Sequence, residues 1–334
     1  MKHIIIRDDS LNGYEYGCLA AFEEAIHEET GADFYILPEY NYSGFVLKHF
    51  GQGMKRRALR SYFPKMHIEI NADVCWYILM GPENFTLDLY KGWESNTGVK
   101  ILYLFDTLPG QYELIKKITD SYTWDILITS FNDAVDDLQN LTGKKWYCVE
   151  QAADKYLFEP VQFEEKIIPF SSYGRRNLKV HEFVKEFCKN KGLYYDYTTL
   201  SSKFPLASSK ELYYQYAWHM KHSLFTFSWP VEMTNPTRAG KLHPITCRWF
   251  EAAAAGTVIV GKQPGNKMFN SQLSENLVLN INDSENKNNL IEQINEIWDN
   301  RKIHYENSLA IRKLNFDRWN WNIRVKTILK IVSD

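Results

Sequence analysis

Short apolar runs alternate with stretches of helical period along most of the chain, the pattern of parallel α/β layers. Residues 3–6 read as a first buried strand, followed by a helix over about 17–29 that Gly31 stops. Further strands are expected at 33–37, 74–80, 99–105, 125–129 and 145–150, with helices near 112–121 and 133–141. The segment 151–161, which contains Pro160, reads as a linker. The pattern then restarts. Strands are expected at 166–171, 193–197, 223–228, 257–261 and 277–280, and helices near 178–189, 208–220, 245–255 and 288–300. The tail, 305–331, keeps an apolar helical period and reads as a helix. Two successive parallel sheets put the C-terminal ends of their strands against one cleft, where ligands of such folds bind. The expected class is therefore α/β, with two Rossmann-like parallel-sheet domains (1–160 and 161–304) facing an interdomain cleft. A C-terminal helix, 305–334, is expected to cross back to the first domain.

Composition supports this and removes some function classes. A chain of 334 residues exceeds what one core usually serves. A formal net charge of -2 offers no general attraction to nucleic acid or an anionic surface, so any phosphate site must be local and no nucleic-acid partner is expected. Cys18, Cys75, Cys148, Cys188 and Cys247 show no zinc-ligand or redox spacing, which suits reduced thiols in the cytoplasm. The opening MKHIIIRDDS meets charge after three apolar residues, short of a signal peptide, and no apolar run is long enough to span a bilayer. The expected location is cytoplasmic, free or peripheral to the inner face of the membrane. The 10 Trp and 21 Tyr suit core packing, and also suit the flat C–H faces of a carbohydrate.

The segment 243–260 carries the most chemistry. His243-Pro244 precedes a helical stretch in which Pro244 fits the first position and Gly256 the stop. Ala252 to Ala255 let a neighbouring element approach closely, and a buried strand follows at once. Arg248 and Glu251 are three apart and share a face that leans toward the helix N-terminus, where free N–H groups favour an anion. A carboxylate there can accept two hydrogen bonds from a ribose diol while a diphosphate sits at the helix mouth. A solvated Arg–Glu pair reads equally well from spacing alone.

Arg248-Trp249-Phe250-Glu251-Ala252-Ala253-Ala254-Ala255-Gly256 resembles the R-x-F-E-A-x-A-x-G signature of GT-B glycosyltransferases, and in particular the group similar to spore-maturation CgeB proteins, related to family 4 retaining transferases. The likeness extends, in order, over Asp125 to Ser130, Trp146 to Asp154, Phe158-Glu159-Pro160, Ile168 to Arg176 and Asn320 to Arg324, and fades over the first ninety residues. It implies the GT-B fold and a nucleotide-diphosphate sugar as co-substrate. It implies no other cofactor and no metal, and a glycan, lipid-linked or protein acceptor. Carried over by position, Glu251 matches the ribose-binding glutamate. Gly174, Arg175 and Arg176 form the turn expected at the leaving diphosphate, beside Thr246 and Arg248. Lys179 or Lys241 would supply a second cation. His243 stands where family 4 enzymes carry a first glutamate, which puts the donor sugar and the retaining outcome in question.

Asp106, at the end of a strand, suits a base or an orienting group for the acceptor, and suits a turn cap as well. Trp229 is expected in a loop over the cleft, stacked on base or sugar, or buried as an anchor. Asn12, Gly13 and Tyr14, with Tyr42-Ser43-Gly44, are acceptor-side candidates by location. No D-x-D motif is present, and Asp136-Asp137 falls on an expected helix. The reading is a glycosyltransferase. Its rivals are a GT-B nucleotide-sugar epimerase and a non-catalytic nucleotide- or glycan-binding member. A Rossmann dehydrogenase is disfavoured because no G-x-G-x-x-G follows an expected strand.

Overall fold

Alternate residues of the early strands enter two different cores, which is why they read as continuous apolar runs. The computed structural model describes residues 1–8, 16–40, 64–198, 208–282 and 287–333. The first sheet contains β1 (His3–Arg7), β2 (Asp33–Ile36), β4 (Asn71–Leu79), β6 (Asn96–Leu104), β7 (Ile126–Thr129) and β8 (Trp146–Cys148), in the order β2-β1-β4-β6-β7-β8. Every pairing is parallel. Ile5, Trp76, Ile101 and Tyr103 face one core. Ile4, Ile6, Tyr77, Leu102 and Leu104 face the other. Helix α1 (Gly17–Thr30) covers the first face, and α2 (Tyr112–Ser121) and α3 (Val135–Thr142) the second. A two-residue pairing that the sequence did not suggest, β3 (Met66–His67) with β5 (Tyr90–Lys91), sits outside this sheet.

The second sheet is also parallel, in the order β10-β9-β11-β12-β13: β9 (Ile168–Tyr173), β10 (Tyr195–Thr198), β11 (Ser223–Ser228), β12 (Val258–Gly261) and β13 (Val278–Asn280). One face packs on α4 (Leu178–Lys191), the other on α5 (Ser209–His222). The short helices α6 (Val231–Thr234) and α7 (Pro236–Ala239) follow β11. Helix α8 (Cys247–Ala254) leads into β12, and α9 (Phe269–Gln272) and α10 (Lys287–Asp299) flank β13. Its alanines are 0–1% exposed. Their small size admits α11 (Arg301–Asn315), whose Arg312 Nε donates to the Ala254 carbonyl at 2.6 Å. Gly256 ends the helix at φ 59, with Thr257 N–H bonded back to Ala252 O at 3.0 Å. The core that holds Ile5 and Trp76 continues without interruption into Phe250, Ala252 and Ile259, so the two sheets share apolar packing.

Two expectations change. The tail is not one helix. Residues 316–320 break it, and α12 (Trp321–Ser333) leaves the second sheet for the first. The break is held from outside: Ala153 N–H donates to Trp319 O at 2.7 Å, and Trp321 N–H to Ala153 O at 3.2 Å. Trp321 then stacks on Phe22, centroids 4.7 Å apart, and meets Phe105 edge-on. A buried side chain of that size contributes about 3–5 kcal/mol. Nor does α8 start at Pro244. Residues 243–246 stay outside the helix because His243 N–H is bonded to Asp133 and Cys247 N–H to Gln151, both on the first sheet's side. Thr246, at φ -96 and ψ 165, is the residue before the helix.

Because both sheets are parallel, each presents one row of strand ends, and the two rows face each other. Polar contacts cross between them: Lys241 to Asp137 at 2.8 Å, Asn266 to Asn132 at 2.8 Å, and Gln272 to Glu150 at 2.8 Å.

Candidate active site

The turn after β9 is close-packed. Gly174 has φ +75, and a Cβ there would fall 2.0 Å from Arg248 Nη2, so the Arg248 guanidinium lies directly against this turn. Gly174→Ala is therefore expected to cost about 1–3 kcal/mol through strain and to push Arg248 aside. Thermal melts and a nucleoside-diphosphate titration would read both effects, and an unchanged melt would show that the turn relaxes freely. Asn177 closes the turn by accepting from Val180 N–H at 3.2 Å, which starts α4. The two arginines of the turn diverge. Arg176 lies over the Tyr197 ring at 5.6 Å, while the charge of Arg175 acts on Asp106 across the cleft.

Asp106 follows β6, with its N–H bonded to Met80 O at 2.6 Å. Its Oδ2 accepts from Arg238 Nη2 at 2.9 Å, and its side chain is 22% exposed. Burial raises its pKa, the Arg238 and then the Arg175 charges oppose the rise, and Glu83 adds to it. The turn after Asp106 is closed by Gln111, whose Oε1 accepts from Leu108 N–H at 2.8 Å and whose Nε2 donates to Glu83 at 2.8 Å. Asp106 is thereby left to face the arginines. Arg238, in the short α7, is a site residue the sequence reading missed. It lies outside any motif, and only its placement opposite Asp106 marks it.

Glu251 departs from expectation. Its residue is 3% exposed, and its two carboxylate oxygens accept from Tyr213 Oη at 2.6 Å and Tyr216 Oη at 2.9 Å. Both tyrosines come from α5 and are themselves buried. Burial pushes the carboxyl up to about 7, against the two tyrosine hydrogen bonds and then the Arg248 charge. The acid thus stands behind Arg248 rather than in open cleft, because α5 packs onto the face where the spacing had placed a ribose. The i, i+3 tyrosines on an expected helix were the available signal, and in a core stripe such pairs are common.

The remaining candidates scatter. His243 is held by three contacts: its Nδ1 lies 3.0 Å from Glu232 Oε1, its N–H donates to Asp133 at 2.5 Å and its carbonyl accepts from Asn266 at 2.8 Å. The same Glu232 oxygen accepts from Gly265 N–H at 2.9 Å. Trp229 is 3% exposed within the second sheet's core, so it anchors the end of β11 instead of overhanging the cleft. Lys241 pairs with Asp137 of α3, away from the Gly174 turn, and Lys179 is exposed on α4. Asn12, Gly13 and Tyr14, and residues 42–44, lie outside the described residues. A cavity of about 310 Å³ opens at the ends of β1 and β4, lined by Arg7, Asp8, Tyr16, Glu23 and, from α5, Lys210. Arg7 and Glu23 pair there at 2.7 Å. Among the described residues, no three His, Cys, Asp or Glu side chains gather as a metal site, and no helix is long and apolar enough to cross a membrane.

No protein-family model matches the chain, and no curated protein matches it. Solved structures do. Sucrose-phosphate synthase from Thermosynechococcus elongatus is 10% identical, with a TM-score of 0.56, over 100% of this chain and 98% of that one. A glycosyltransferase from Rickettsia africae ESF-5 is 11% identical, with a TM-score of 0.52, over 99% of this chain and 97% of that one. At such identity the likeness concerns architecture, and over its full length the chain has the GT-B fold: two parallel α/β sheets with their strand ends turned toward each other.

Proposed function

We propose that this protein is a glycosyltransferase, moving a sugar from a nucleotide-diphosphate donor to an acceptor hydroxyl in glycan or glycoconjugate synthesis, and that it belongs to the CgeB-like group. The observation that carries the proposal is the convergence, at the facing strand ends, of Arg175 and Arg238 on Asp106, with Arg248 against the adjoining Gly174 turn. Two sides of one cleft then bear complementary tasks. Arg175 and Arg248 neutralise the charge that builds on the departing diphosphate, without need of a metal. Asp106 accepts a hydrogen bond from the acceptor hydroxyl and orients it. The cavity at the ends of β1 and β4 receives the remainder of the acceptor. Glu251 acts through Arg248, as a positioning residue in the closed arrangement. The retaining outcome rests on the resemblance alone.

A thermal-shift series with UDP, GDP and ADP tests the donor side. At a hundred times Kd, a nucleotide that binds the folded form adds about 2.7 kcal/mol, a rise of roughly 4 °C for a chain of this size. No shift with any nucleoside diphosphate at millimolar concentration would remove the reading. A second reading, a non-catalytic binding member, is favoured by one observation: the Glu251 carboxylate is already occupied. Donor hydrolysis or transfer across a panel of nucleotide sugars separates the two.

A further inference from the structure

His243 is an accessible ring whose back edge is fixed. Its side chain is 44% exposed, while that of Glu232, from the short α6, is 16% exposed. The ring Nδ1 lies 3.0 Å from Glu232 Oε1, and the same oxygen accepts from Gly265 N–H at 2.9 Å. A Cβ on Gly265 would fall 2.9 Å from Nδ1 and 3.2 Å from Cε1, so that edge of the ring rests on the loop after β12. The backbone is held too, with His243 N–H bonded to Asp133 and its carbonyl to Asn266. Among the described residues, no group hydrogen-bonds Nε2.

An ionised carboxylate only accepts hydrogen bonds, so the Nδ1 beside it carries the ring proton. A neutral imidazole has one such proton, which leaves Nε2 with a bare lone pair. The two ring nitrogens point in widely different directions, so setting Nδ1 against Glu232 turns Nε2 away from it. We propose that Glu232 is a positioning residue that pins His243 as the Nδ1–H tautomer, so that Nε2 accepts a hydrogen bond from a hydroxyl of the bound sugar. The pinning stands on the geometry alone, whereas the sugar partner rests on the glycosyltransferase reading. The sign of the presented group selects that partner. A lone pair attracts an O–H and repels a phosphate oxygen, which needs a donor. The imidazole therefore serves the sugar, and the arginines at the Gly174 turn serve the diphosphate. Gly265 takes part twice: its N–H holds the Glu232 oxygen, and its missing side chain leaves room for the ring.

The test records nitrogen-15 spectra of the histidine-labelled full-length protein at about pH 9, where a free imidazole is neutral. His243→Gln identifies the signal by its loss. The expected wild-type result is a protonated Nδ1 and a bare Nε2. Glu232→Ala should release the ring to the Nε2–H form that a solvated imidazole favours, and Glu232→Gln, whose amide oxygen still accepts, should restore the Nδ1–H form. A wild-type ring in the Nε2–H form overturns the proposal without recourse to any ligand or to a variant that folds poorly. So does a tautomer that Glu232→Ala leaves unchanged. Calorimetry then uses UDP, or whichever nucleoside diphosphate shifts the melt, beside its glucose conjugate. Glu232→Ala is expected to weaken the conjugate about fivefold and to leave the nucleotide within about twofold. Equal losses for both overturn the hydroxyl assignment. If no nucleotide binds the wild-type protein, that assignment falls with the glycosyltransferase reading, and the spectra still decide the pinning.

Discussion

Replacing Asp106 by Asn is expected to lower glycosyl transfer by about 10²-fold or more while strengthening nucleoside-diphosphate binding. The opposite signs follow from the geometry. The carboxylate accepts from Arg238 at 2.9 Å and lies in the field of Arg175. It therefore competes with any phosphate for both guanidinium groups. Asn keeps the shape and removes the charge, so Arg175 and Arg238 turn more fully to the ligand. For a partly exposed pair the gain is about 1 kcal/mol, a severalfold drop in Kd. Transfer suffers because an amide oxygen orients and polarises an acceptor hydroxyl far less than a carboxylate does. Calorimetry with the donor nucleotide and initial rates with the full substrate pair give the two numbers separately. If both rates and affinities match the unaltered protein, Asp106 has no part in the chemistry.

The second large effect concerns Glu251 and pH. Its carboxyl moves from an ordinary 4.5 to about 7 in the folded protein. Between these values the folded state holds a proton that the unfolded chain releases, so stability declines as pH rises from about 4.5 through 7. The span of 2.5 units sets a ceiling of about 3 kcal/mol. Glu251→Gln carries no charge at any pH, and like the protonated acid it accepts from one tyrosine hydroxyl through its oxygen while its other group donates to the second tyrosine oxygen. Its melting temperature is expected to equal that of the unaltered protein near pH 5 and to exceed it by up to about 4 °C at pH 8. Parallel curves for the two proteins would show that the acid stays ionised throughout and is stabilised by something other than the two phenols. Glu251→Ala, by contrast, leaves two buried hydroxyls without their acceptor and is destabilising at every pH.

Much of the fold could be read from the chain because its strands are covered on both faces. Residues 99–105 are largely apolar for that reason, residues 223–228 are buried throughout, and Gly31 and Gly256 punctuate their helices. The stretch from Arg248 to Val260 was legible as a helix and strand because its pattern is local. What escaped was decided at a distance. The start of α8 depends on Asp133, 110 residues away, and on Gln151, 96 away. The occupation of Glu251 depends on tyrosines 38 and 35 residues earlier, whose spacing resembles any buried stripe. The kink before α12 depends on pairing with Ala153. Likewise, nothing near Arg238 distinguishes it from a surface base; its meaning comes from Asp106, 132 positions back. Trp229 shows the reverse: a residue that looked chemical by neighbourhood is an anchor, since strand alternation carries it inward.

The return of the chain through residues 316–320 has a mechanical consequence. The polypeptide passes from one half to the other near Ala153 and comes back beside it, the two strands of backbone joined there by the bridge to Asn320. Bodies tethered at adjacent points swing about the line through them and resist twisting. Any opening of the cleft would then move Asp106 and Arg175 apart along one arc and return them to the same register, as a door on paired pins meets its latch.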